Sequence, residues 1–80
     1  MDDAAIHDRI EQLVEEEHAL WRRQTEGDID DATRRRLLEL QVALDQLWDL
    51  LRQRKALRRA HLDPESAQVR PAEIVENYRQ

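Results

Sequence analysis

Cysteine and phenylalanine are absent from this 80-residue sequence, glycine occurs once and proline twice. The lack of cysteine excludes disulfides, thiol catalysis and cysteine-ligated zinc, and it fits a reducing compartment. No apolar run approaches the length that crosses a bilayer. The N-terminal stretch MDDAAIHDRIEQ is acidic and amphipathic, which is not the make-up of a secretory signal. These absences lead to the expectation of a cytoplasmic protein without membrane contact. The length allows one domain and sits near the size at which a single core is marginal.

What is present is charge and leucine. Charged residues make up 39% of the chain and hydrophobic ones 40%; the apolar set is mostly Leu and Ala, which favour helix over strand. The expected fold is all-α: an antiparallel, coiled-coil-like hairpin over residues 1–60, with a C-terminal segment, 61–80, packing back. Asp2 or Asp3 can cap a first helix over about 3–26. Gly27 sits where a left-handed residue closes a helix. Residues 27–30 make the turn, and Asp30 caps a second helix over about 31–60. Pro64 marks its latest end, because the residue before a proline avoids the α region. Residues 61–70 read as a linker, and Pro71 suits the first position of a short helix over about 71–78.

At about 100° per residue, Ile6, Ile10, Leu13 and Leu20 form one stripe, widened by Val14 and Trp21. On the second helix Leu37, Leu40, Leu44, Leu47 and Leu51 form the matching stripe. Trp48 lies on one flank; Ala43, Leu50 and Leu57 lie on the other. A short turn makes the helices antiparallel, so paired positions sum to about 57. Apolar residues then meet at every step, from Leu20 with Leu37 to Ile6 with Leu51. Glu17 and Gln41 fall on the seam as a polar pair. A buried carboxylate needs a partner, and such a pair can fix register or partner choice; otherwise Glu17 bends out to water.

Residues 2–26 hold eight acids and three bases, a net −5, whereas residues 31–60 hold four acids and eight bases, a net +4. The helices therefore attract, and the register brings Arg52, Arg54 and Lys55 towards Asp2, Asp3 and Asp8.

The segments EEEH (Glu15–His18), LDQLWDLLRQR (Leu44–Arg54) and DPESAQVRPAEIVENY (Asp63–Tyr78) together resemble a family of short actinobacterial proteins classed as a domain of unknown function. The resemblance spans nearly the whole chain. It implies a small helical protein and carries no assigned reaction. Leu47 stands where members often carry cysteine, and Asn77 where glycine is common.

Candidate sites are few. His7, Glu11, Glu15 and His18 share one side of the first helix, and Glu15-x-x-His18 has the spacing of carboxylate-bridged metal bundles. His7 and His18 stand about 16 Å apart along the axis, too far to share one ion. A solvated polar face is the plainer reading, and no metal or cofactor is expected. The basic run Arg52, Arg54, Lys55, Arg58 and Arg59 is a candidate nucleic-acid contact, set against a sequence pI of about 5.1. Arg34, Arg35 and Arg36 make a weaker candidate, crowded by Asp28, Asp30 and Asp31. The apolar surface is wider than one helix partner needs. Val14, Trp21, Trp48, Leu50 and Leu57 are accordingly read as an interface that pairs two hairpins into a homodimer or docks another protein. Val69, Ile74, Val75 and Tyr78 in the tail are a rival cover within one chain. The favoured function is protein–protein interaction, as a non-enzymatic adaptor or regulator. The alternative is a nucleic-acid- or ribosome-associated factor, and the third reading is a metal-binding helical bundle.

Overall fold

Aspartates placed just before helix starts set the boundaries. A computed structural model describes residues 1–27 and 30–77; Asp28 of the turn and Tyr78 of the tail lie outside the described residues. Helix α1 spans Asp3–Glu26, and the Asp2 carboxylate accepts the Ala5 N–H at 2.8 Å. Helix α2 spans Asp31–Arg59, and Asp30 accepts from the Thr33 N–H at 2.7 Å. Each cap satisfies an N–H that the helix leaves unpaired. A 3₁₀ turn, Pro64–Ser66, breaks the segment read as linker, and Asp63 caps it through the Glu65 N–H at 3.0 Å. The last helix, α3, is Ala72–Asn77. Among the described residues there is no strand.

The helix ends differ from expectation in one respect. Gly27 has φ 173°, which is extended backbone and not the left-handed closure expected there. The left-handed residue is His61, with φ 59°. The Leu62 N–H donates to the Leu57 carbonyl at 2.8 Å, and the His61 N–H donates to the Arg58 carbonyl at 3.0 Å. This is the Schellman closure, with histidine in a place glycine usually takes. His61→Gly is therefore expected to raise stability by about 1 kcal/mol, by removing the Cβ clash of left-handed backbone. A Cβ at Gly27 would meet nothing within 4 Å, so Gly27→Ala should also stabilise, by about 0.5 kcal/mol. Urea midpoints at unchanged slope measure both; a lower midpoint for His61→Gly would show that the ring matters more than the backbone.

The core joins Ile6, Ile10 and Leu13 of α1 to Leu37, Leu40, Leu44, Leu47 and Leu50 of α2, with Val75 of α3 also buried. Val14, Leu20, Ala43, Leu51 and Ala67 pack at its edge. The expected hairpin register holds: Asp3 and Arg54, whose numbers sum to 57, pair across the helices at 2.5 Å. Leu50 is inside and Leu51 only half-buried, because the returning tail covers the Leu50 flank. Both the 3₁₀ turn and α3 pack on α2. Helix α2 is thus the middle element of a single layer, α1 on one side and tail on the other. The molecule measures 51 × 26 × 16 Å.

Candidate interaction face

What holds the tail decides which surface remains open. Gln46, Asp49 and Gln53 recur at three- and four-residue spacing and so share one face of α2. The fully buried Asp49 carboxylate receives the Arg70 guanidinium in a two-point pair, Nε to Oδ2 at 2.8 Å and Nη2 to Oδ1. Gln53 Nε2 donates to Asp49 at 2.9 Å and to the Gln68 carbonyl at 2.8 Å. Gln46 Nε2 donates to the Arg70 carbonyl at 3.2 Å. Arg54, only 5% exposed, donates to Asp3, to Glu65 at 3.1 Å and to the Pro64 carbonyl at 3.3 Å. The motif segments 44–54 and 63–78 are therefore each other's partners, through Pro64, Glu65, Gln68 and Arg70 of the second. Among the described residues no buried side-chain nitrogen or oxygen lacks a hydrogen-bond partner.

These pairs shift the carboxylates in one direction. The Arg70 hydrogen bonds hold Asp49 below its ordinary value, with Gln53 assisting, although burial opposes them. Hydrogen bonds from Arg58 and then Arg54 draw Asp3 down to about 2. The Arg36 guanidinium, at 2.6 Å, lowers Glu16. A lowered folded-state pKa means that the unfolded chain takes up protons first as pH falls. The stabilisation is complete above the unfolded carboxylate range and is lost as pH drops from about 4 towards 2. The urea midpoint should therefore stay level from about pH 7 to 5 and fall steadily below about 4. A midpoint that rises on acidification would contradict this sign.

The tail lies along the side of α2 away from α1, held by Gln46, Asp49 and Gln53, and leaves open the hairpin face that carries Trp48. On that side His7, Ile10, Val14, Glu17 and Trp21 follow one another on α1 at three- and four-residue steps. Across the seam stand Gln41, Asp45 and Trp48 of α2. His7 meets Trp48 edge to face, with ring centroids 6.3 Å apart. Glu17, Gln41, Leu44, Asp45 and Trp48 line a hollow of about 450 Å³, and His7, Ile10, Glu11 and Val14 line another of about 380 Å³. Trp21 and Trp48 are each 43% exposed. The opposite face of the hairpin carries the Arg36–Glu16–Glu39 ion pairs.

The remaining sequence candidates separate. Of the residues read as an interface, Val14, Trp21 and Trp48 are spread along the open side. Leu50 is buried within the single chain and Leu57 is half-buried. Glu17 and Gln41 are not a buried pair: Glu17 is half-buried and Gln41 exposed at the rim of the hollow. The charges that are buried, Asp49 and Arg54, lie on the tail side instead. Within the basic run, Arg54 is internal, Arg58 pairs with Asp3 at 2.7 Å, and Arg52 approaches Asp49 at 3.7 Å. Lys55 and Arg59 are exposed. His7, Glu11, Glu15 and His18 are all exposed, and among the described residues no three acids or histidines are grouped so as to hold an ion. In the tail Val75 is buried, whereas Val69 and Ile74 face outward.

Comparison with known proteins places the chain. The model of the family described as "Protein of unknown function (DUF2630)" matches residues 2–80. The chain belongs to the DUF2630 family. It is similar to the uncharacterized proteins Mb0922c of Mycobacterium bovis and Rv0898c of Mycobacterium tuberculosis H37Rv, with 47% identity to each over 70 residues. The matched region covers 86% of this chain and 80% of each relative. No solved structure matches. Among the described residues no helix of this DUF2630 member is long and apolar enough to cross a membrane.

Proposed function

We propose that this DUF2630 protein works by contact with protein, and that its working surface is the open hairpin face bearing Trp21, Val14 and Trp48. The observation that carries this is two tryptophans, each 43% exposed, with Trp48 lining a hollow that Glu17, Gln41, Leu44 and Asp45 complete. Tryptophan is rare at surfaces and common at the centre of interfaces, because it brings a large apolar area with few rotatable bonds. Contact, not catalysis, is the proposed mode: the sequence offers no nucleophile–base pair. Nucleic acid is the less favoured partner, since Arg54 and Arg58 are engaged with Asp3.

The test is affinity capture from the native host with nuclease present, comparing the wild-type chain with a Trp21→Arg/Trp48→Arg variant of equal helicity. A captured protein is then purified and titrated against both chains. Binding to the wild type that the variant loses at least tenfold supports the reading. Equal binding by both, or capture that depends on nucleic acid, sinks it. Val69→Arg is the control, because Val69 is 56% exposed and lies in the tail.

A further inference from the structure

We infer that the occupant of the open face is a second copy of this chain, stacked so that α1 of one copy lies on α2 of the other; this rests on the interaction reading above and names its partner.

Area argues first. A compact protein of 9.6 kDa would expose about 5,100 Å². This chain exposes 6010 Å². The excess, about 900 Å², is spread over the whole chain; a stable interface covers roughly 800 Å² per partner. The excess comes from shape: a layer 16 Å thick is little more than one helix deep, so its core has cover only from the sides. A second layer supplies the missing depth. It also suits a chain this short, for which one core alone rarely contributes more than about 3–5 kcal/mol.

Charge then selects the arrangement. Two copies facing each other across the tryptophan side can be related by a two-fold axis across the helices or along them. The first sets α1 on α1 and α2 on α2. With −5 on residues 2–26 and +4 on residues 31–60, that puts acid on acid and base on base. The second sets α1 on α2 of the other copy at both contacts, so helices of opposite net charge face each other, with Glu11 against Asp45 the like-charged exception. Screening weakens but does not reverse the difference at helix–helix distance.

Register supplies the third argument. An axis along the helices preserves height, so the pairing that operates within one chain also operates between chains. Trp48 of the second copy then stands level with Arg9, over the hollow lined by His7, Ile10, Glu11 and Val14. Val14 stands level with Ala43 of the second copy, beside the hollow lined by Glu17, Gln41, Leu44, Asp45 and Trp48. Trp48 thus meets a depression on the other copy, and symmetry makes the contact twice.

The absence of cysteine makes the test clean. Sedimentation equilibrium of the full chain at micromolar concentration is expected to give twice 9.6 kDa, and Trp48→Glu is expected to halve that mass with helicity retained. Two single-cysteine chains, Glu11→Cys and Asp45→Cys, are then mixed and treated with a short bismaleimide. The expected product is a covalent pair containing one chain of each kind. Homogeneous pairs of Glu11→Cys chains would overturn the stacking, as would a dimer indifferent to Trp48→Glu. A mass of 9.6 kDa up to hundreds of micromolar would overturn self-docking altogether. That outcome leaves the broader interaction reading to be decided by the capture experiment, whose partner would then be a different protein.

Discussion

Arg70→Ala is expected to release the tail from α2. Its guanidinium is the main answer to the Asp49 carboxylate, which has no exposure of its own. Removing one partner of a buried pair typically costs about 3–5 kcal/mol, because the other charge is stranded. Here a limit operates: the tail can lift and let water reach Asp49. The expected loss is therefore about 3 kcal/mol at most, set by the free energy of docking the tail. The signature is local. Amide exchange and protease cleavage should rise across residues 61–77, while the α1–α2 core keeps its protection. Adding Asp49→Leu to Arg70→Ala should recover most of the loss, since an apolar group on that face strands no charge. If Arg70→Ala leaves both midpoint and cleavage unchanged, Val75 and Ala67 hold the tail and the ion pair is incidental.

The hairpin was legible in the sequence because its signals are local and periodic. Leu37, Leu40, Leu44 and Leu47 repeat at helical spacing, and an aspartate stands before each long helix. The register followed from a single short turn. The Asp49–Arg70 pair was not legible, for two physical reasons. Asp49 lies well round the helix from the leucine stripe, where a carboxylate reads as solvated. Its partner sits 21 positions downstream, in a segment with no periodicity to orient it. The one available hint was that the two motif segments, 44–54 and 63–78, are long and rich in amide and charged groups. Glu17 and Gln41 follow the second of their two readings, at the rim and open to water. Angle counting put them on the seam, but two packed helices bury only a narrow stripe, and residues displaced from Leu13 and Leu44 fall at its edge. The same displacement makes the open face: Val14, Trp21 and Trp48 belong to the widened part of the stripe, and only the far flank, with Leu50, has a tail to cover it. The left-handed closure at His61 is not legible in the sequence, because glycine is the residue that usually takes that place and the chain has it only at position 27.

Leu40→Ala is expected to be the most damaging single change in the helical core. Leu40 is 1% exposed and lies in the cluster with Leu13, Leu44 and Leu47. Truncating a buried leucine removes its transfer free energy and leaves a void that neighbours fill only in part, a loss of about 3 kcal/mol within a range of 2–5. For a chain of this size, about 3 kcal/mol corresponds to a fall in Tm of roughly 12–24 °C. It is also a large share of what a single small core can supply, so the monomeric variant should be partly unfolded at 37 °C. Leu38→Ala, two positions away but 60% exposed, should shift Tm by less than about 3 °C. Concentration connects this result to the open face. A second copy that binds only the folded chain adds stability by mass action, so the Leu40→Ala midpoint should climb as protein is raised from micromolar to millimolar. Adding Trp48→Glu should abolish that climb without changing the midpoint at the dilute end. A midpoint independent of concentration in both variants would mean that Leu40 stabilises a solitary hairpin, and that the tryptophan face awaits a different protein.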